Sequence, residues 1–91
     1  MKIEQILEKF GFSTNESMIY LASLEMGVAS AQDIAKKAGL KRTTAYSVLA
    51  YLVNRGVVGK TIIKNKTKFI AEPPEKLLNV IGEIKLSIEK V

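Results

Sequence analysis

The sequence predicts a mainly α-helical fold with a small β-hairpin. Three observations carry that expectation. Apolar residues between Ile3 and Val53 recur at helical spacing in four short stretches, closed by Gly11, Gly27, Gly39 and Gly56. After Gly56 the period shortens to two and β-branched residues dominate, until Pro73-Pro74 breaks the chain. Finally, 91 residues make one small domain, and a hydrophobic content of 47% is enough to fill one core.

Ile3, Ile6, Leu7 and Phe10 share one face of the first helix, which Gly11 ends. Ser13-Thr14-Asn15-Glu16 is a capping box, in which the Ser hydroxyl and the Glu carboxylate each accept a backbone N–H of the other. It opens a helix through Ile19, Tyr20, Leu21, Ala22 and Leu24, with Gly27 expected as a left-handed cap. Val28-Ala29 leaves room only for a minor strand. Ser30-Ala31-Gln32-Asp33 is a second cap signal, starting a short helix with Ile34, Ala35 and Ala38 inward and Gly39 at its end. A fourth helix is expected over about 43–55. There Ala45, Val48, Leu49, Leu52 and Val53 form a full apolar stripe, with Arg55 suited to the C-terminal dipole. Residues 57–63 and 67–71 read as strands of a hairpin around Lys64-Asn65-Lys66, and a last helix begins near Glu75. The segment from Ser30 to Gly56 has the dimensions of a helix-turn-helix, and the hairpin behind it those of a wing. The expected architecture is therefore a winged helix-turn-helix over residues 1–74 and a separate C-terminal helix over 75–91.

The chain has no cysteine and no histidine, which excludes thiol and imidazole catalysis, Cys/His zinc sites, disulfides and haem attachment. Phosphate-binding glycine loops, metal clusters and Ser/His/Asp sets are missing too, so no catalytic residue, metal or cofactor is expected. The net charge of +5 is unevenly spread. Residues 34–71 carry nine basic and no acidic side chains; the flanking residues carry five basic and nine acidic. An acid-free stretch of this length reads as an electrostatic face for an anionic partner. No apolar run approaches the roughly 18 residues needed to span a bilayer. Met1-Lys2-Ile3-Glu4-Gln5 lacks the pattern of a signal peptide, so no membrane association and a cytoplasmic location are expected.

On a helical wheel the side of the fourth helix opposite its stripe collects Thr43, Ser47, Ala50, Tyr51 and Asn54, approached by Lys41 and Arg42. Small polar side chains suit a helix that enters the major groove, where bulk would block insertion. Arg42 is the candidate for a bidentate guanine contact and Lys41 for a phosphate. Tyr46, on the flank, is compatible with the core edge or with a phosphate contact. An ordinary amphipathic helix would show the same pattern; the preceding helix, the short turn and the missing acids favour DNA. In the hairpin, Lys60, Lys64, Lys66 and Lys68 alternate with Thr61, Ile63, Thr67 and Phe69, so one lysine face is expected, pointing away from the core. Such a face tracks a backbone or enters a minor groove, and it also protects a strand edge from aggregation. The expected contact set is Ser30, Lys41, Arg42, Thr43, Thr44, Tyr46, Ser47, Tyr51, Lys60, Lys64, Lys66 and Lys68.

From Leu7 to about Leu78 the sequence resembles the winged-helix domain of the TrmB family, mostly archaeal sugar-responsive transcriptional regulators. The resemblance rests on Phe12-Ser13-Thr14-Asn15-Glu16, Tyr20-Leu21-Ala22-Ser23-Leu24, Gly27 and Ser30-Ala31-Gln32-Asp33-Ile34-Ala35. It continues through Gly39, Arg42-Thr43-Thr44-Ala45-Tyr46-Ser47-Val48-Leu49, Leu52, Gly56, Val57 and Phe69-Ile70-Ala71-Glu72-Pro73-Pro74-Glu75. It implies binding of double-stranded DNA as a dimer, with the fourth helix reading an operator. Larger members carry a C-terminal sugar-binding domain. This chain reaches Val91 before such a domain begins, so a small-molecule effector is not carried over.

Leu77, Ile81, Ile84, Ile88 and Val91 are spaced as an a/d seam, interrupted by Gly82. The helix either covers the first helix of its own chain or pairs with a second copy. Leu78 and Val80 offer a further apolar side for docking on the body, which favours a homodimer with two recognition helices about 34 Å apart. The leading functional expectation is a sequence-specific dimeric transcription regulator. The alternative is a winged-helix module for protein contacts in a nucleoprotein assembly, because the fold alone does not set the function.

Overall fold

Four helices and a two-stranded antiparallel sheet succeed one another in the computed structural model, which describes residues 3–9 and 11–77. They are α1 (Ile3–Lys9), α2 (Thr14–Met26), α3 (Ala31–Ala38), α4 (Arg42–Asn54), β1 (Val58–Ile63) and β2 (Lys66–Ala71). Through β2 the expected order of elements is the observed one; the last helix, expected over 75–91, lies within the described residues only as far as Leu77. Phe10 and the side chain of Ile6 lie outside the described residues.

Local chemistry sets the helix ends. Glu16 N donates to Ser13 Oγ at 3.2 Å and Ser13 N donates to Glu16 Oε1 at 2.7 Å, completing the capping box of α2. Ser30 Oγ accepts from Asp33 N at 3.2 Å and caps α3. Gly39 has the left-handed conformation (φ 73°, ψ 30°) that lets the chain turn sharply into α4. Gly27 departs from expectation: its φ is 75° but its ψ is −129°, so it is not a left-handed cap. The reason lies two residues on. Ala29 pairs antiparallel with Phe69, through N–H to O bonds of 3.0 and 2.8 Å, and the chain must leave α2 already extended. That bridge is the minor strand expected at Val28-Ala29, and it ties the α2–α3 connection to the hairpin.

α2 packs against both α3 and α4. Ile19, Tyr20, Ile34, Leu49 and Leu52 fill the centre, and Ala22, Ala31, Ala35 and Ala45 let the helices approach. Val57, Val58, Phe69 and Ala71 extend this core under the base of the hairpin, and Leu7 closes it from α1. After β2 the Glu72 N–H donates to Val57 O at 2.9 Å, and the Tyr20 hydroxyl donates to the Glu72 carbonyl. Burial pushes Tyr20 up to about 12, helped by the nearby carboxylates of Glu75 and Glu72. Residues 74–77 begin a further helical turn, and Leu77 is 1% exposed within the core of its own chain. Leu78, Val80, Ile81, Gly82, Ile84, Ile88 and Val91, the remainder of the expected seam, lie outside the described residues.

The hairpin corrects one expectation. Lys64 and Asn65 both have positive φ, 52° and 64°, as a two-residue type I′ turn requires. This turn pairs Ile63 with Lys66, and hence Thr61 with Lys68 and Lys60 with Phe69. Directly paired residues share a face. Lys60 therefore lies on the face of Thr67 and Phe69, while Lys66 and Lys68 lie on the other with Thr61 and Ile63. A single lysine face would need the same parity in both strands, and a two-residue loop reverses it.

Candidate nucleic-acid interface

The outer side of α4 is built by its own periodicity. Ala45, Leu49 and Leu52 are buried, which turns Arg42, Thr43, Tyr46, Ser47, Ala50, Tyr51 and Asn54 to solvent; Thr44 is half-buried at the margin. α4 starts at Arg42, one residue before the expected position, with Lys41 at its N-cap. Unlike α2 and α3, it receives no side-chain hydrogen bond there. Its first N–H groups therefore have no side-chain cap, and the exposed Lys41 and Arg42 stand beside them in the chain.

Arg42 is held above the Tyr46 ring one turn on, with the guanidinium carbon 5.6 Å from the ring centroid. A contact of this kind contributes about 0.5–1 kcal/mol at an exposed site and narrows the orientations of the guanidinium. Tyr46 thus sits neither in the core nor free on the surface: it is 46% exposed, with Arg42 over its ring. It also stands between two clefts. One, of about 460 Å³, is polar and lies between the N-termini of α3 and α4 and strand β2, lined by Ser30, Gln32, Asp33, Arg42, Tyr46, Lys66, Thr67 and Lys68. The other, of about 280 Å³, runs between α4 and the opposite face of the hairpin, lined by Tyr46, Ala50, Val53, Lys60, Thr67 and Phe69.

The fold thus brings Ser30, Arg42, Tyr46, Lys66 and Lys68 around one cleft and sets Lys60 across the hairpin from them. The Ser30 hydroxyl already accepts the Asp33 N–H. Tyr51 lies toward the far end of α4, where its hydroxyl accepts from Arg55 Nη1 at 3.3 Å. Two of the nine basic residues in the acid-free stretch turn out to serve the scaffold. Lys37 pairs with Glu25 at 3.3 Å, joining α3 to α2. Arg55 lies over the rings of Phe12 and Tyr51, at 5.6 and 5.7 Å, joining the start of α2 to the end of α4. Gln32 and Thr67 line the polar cleft as well, although neither belongs to the expected contact set. Their signal was positional: Gln32 is in the first turn of α3, and Thr67 lies between two lysines of β2. Among the described residues, no group of acidic side chains is placed to hold a metal ion, and no helix is long and apolar enough to cross a membrane.

Comparison with known proteins agrees with this architecture. Residues 7–75 match the family described as sugar-specific transcriptional regulator TrmB. A 57-residue stretch is 40% identical to the HTH-type sugar sensing transcriptional regulator TrmBL1 of Pyrococcus furiosus, covering 63% of this chain and 17% of that protein. Among solved structures, the archaeal chromatin protein TrmBL2 superposes with a TM-score of 0.81 at 21% identity, over 97% of this chain and 34% of that one. A MarR family transcriptional regulator from Silicibacter pomeroyi superposes with a TM-score of 0.68 at 17% identity, over 94% of this chain and 58% of that one. The fold is therefore a winged helix-turn-helix, and these relatives are regulators and a chromatin protein rather than enzymes. The present chain spans about a sixth of TrmBL1 and a third of TrmBL2.

Proposed function

Because the chain belongs to the TrmB family of transcriptional regulators, we propose that it binds double-stranded DNA sequence-specifically as a homodimer, with α4 in the major groove. The observation that carries this reading is the basic surface made by α4 and the two faces of the hairpin. Lys41, Arg42, Lys66 and Lys68 lie on the side of the polar cleft, with Asp33 at its edge, Lys64 stands at the tip, and Lys60 lies on the opposite face of the ribbon. Arg42 and the hydroxyls of Thr43 and Ser47 face base edges. Lys41 and the N–H groups at the start of α4 take a phosphate, and the wing lysines follow the backbone beside it. Ser30, Thr44, Tyr46 and Tyr51 complete the contact set at its margins.

The proposed dimer uses Ile81, Ile84, Ile88 and Val91; Leu77, the first residue of that spacing, is occupied in the core. Selection from a random duplex library at stated salt is expected to return an inverted repeat with half-sites about 10–10.5 base pairs apart, or a multiple of that spacing. The Arg42→Ala variant is expected to lose about 1–3 kcal/mol of affinity for the selected site and to relax its sequence at one position. Absence of enrichment, with micromolar sequence-indifferent binding, would overturn the specific-reader proposal and favour a protein-contact module.

A further inference from the structure

The tip of the hairpin carries a combination that the electrostatic reading does not use. Ile62 is 68% exposed, the most exposed of the large apolar side chains described, and Ile63 beside it is 44% exposed. They lie on opposite faces of the ribbon, directly before the turn. Around them stand Lys60, Lys64 and Lys66. Lys64 occupies a left-handed turn position (φ 52°) where asparagine or glycine would be unstrained. An exposed apolar ribbon tip is normally an invitation to aggregate, and lysines at the same tip repel a second copy of it. The same lysines attract a polyanion. Charge and apolarity at the tip are therefore satisfied together by a partner with phosphates outside and an apolar interior, which is a base stack between two backbones.

Resting on the DNA-binding reading above, we propose that the wing tip is an apolar wedge: Ile62 enters the minor groove and partly unstacks a base step while Lys60, Lys64 and Lys66 hold the flanking phosphates. Size requires the distortion. Strands of a ribbon lie about 4.8 Å apart before side chains are counted, and an undistorted minor groove is only about 6 Å wide. The ribbon seats only where the groove opens, and an isoleucine between base pairs opens it by kinking the duplex toward the major groove. Pyrimidine–purine steps, TpA above all, yield most readily, so the wedge selects deformable steps without hydrogen-bonding a base. Phe69 and Ala71, deeper in the ribbon, are buried and anchor it against this load.

The test titrates the 91-residue chain onto A·T-rich duplexes with 2-aminopurine at TpA steps and a fluorophore pair at the ends. Wild type is expected to raise 2-aminopurine emission severalfold and to bring the ends together by a bend on the order of 20–90°. Ile62→Ser, an exposed substitution that leaves the core intact, is expected to bind with an unchanged salt dependence but to lose both signals. Ile62→Phe is expected to keep them. Wild-type binding with no emission change and no bend overturns the wedge and leaves DNA binding standing. So does Ile62→Ser deforming DNA as wild type does. Dissociation of a dimer by Ile62→Ser with the bend unchanged overturns it too, assigning the tip to a second copy. Failure of wild type to bind duplex at all overturns the DNA-binding reading, and the wedge with it.

Discussion

Single side chains divide into those that hold the scaffold and those turned outward. Tyr20 belongs to the first group: it is fully buried, meets Phe12 edge-on at a centroid distance of 5.9 Å, and donates its hydroxyl to the Glu72 carbonyl. Its proton is held up to about 12, chiefly by burial, against an ordinary value of 10.0. The folded state therefore keeps a proton that the unfolded state releases. Stability is fully present below pH 10 and falls by about 2–3 kcal/mol as the pH rises toward 12. Urea unfolding at pH 7 and pH 11 is expected to show about half of this loss, about 1.4 kcal/mol, in wild type. Tyr20→Phe is expected to be about 1 kcal/mol less stable at pH 7, since the Glu72 carbonyl loses its donor, and to lose no further stability through this group in alkali. Arg55 is a second scaffold residue, although its charge alone resembled that of the outward-facing Arg42. What separates them is the neighbouring ring: Phe12 and Tyr51 for Arg55, Tyr46 alone for Arg42.

Among the elements, the hairpin shows most clearly how local conformation and proposed function compete. Positive φ at Lys64 costs stability that asparagine would not forfeit. Lys64→Asn is expected to stabilise the fold by about 0.5–1 kcal/mol in thermal or urea melts. The same change is expected to lower the slope of log affinity against log salt by about one, as one phosphate contact is lost. A gain in stability with an unchanged slope would remove Lys64 from the interface. α4 shows a related contrast. α2 and α3 each have a serine whose hydroxyl accepts an N-terminal N–H, and α4 has a lysine that does not. A helix start without a side-chain cap, beside Lys41 and Arg42, is a natural seat for a phosphate.

For the whole molecule, the useful quantity is the number of cations left free of the scaffold on α4 and on the two faces of the hairpin. Of the nine in the acid-free stretch, Lys37 and Arg55 are engaged within the scaffold, and six form the proposed DNA face. If those six each neutralise a phosphate, duplex affinity is expected to fall with a log–log salt slope of roughly −5 per chain. Fluorescence-anisotropy titrations from low to physiological salt measure this directly, and a slope near zero would contradict the proposed face. If the chain binds as the proposed homodimer, the slope doubles for a two-half-site duplex, and Ile84→Glu, in the proposed seam, is expected to return it to the single-chain value.

The order of elements, the capping box at Ser13 and Glu16, the cap at Ser30, the buried stripe of α4 and the acid-free stretch were all legible in the chain. The caps and the stripe depend on residues a few turns apart at most, where helix periodicity and capping chemistry act without help from the rest of the fold. The charge distribution is a property of the sequence itself. Long-range pairing decided the rest. The register of β1 on β2 split Lys60 from Lys66 and Lys68, because a two-residue turn reverses parity between the strands. The bridge from Ala29 to Phe69 overrode the expected left-handed cap at Gly27. Leu77 went to the core of its own chain, and Lys37 and Arg55 found partners more than ten residues away. Local spacing says which side chains share a face of one element; only packing between elements says what that face meets.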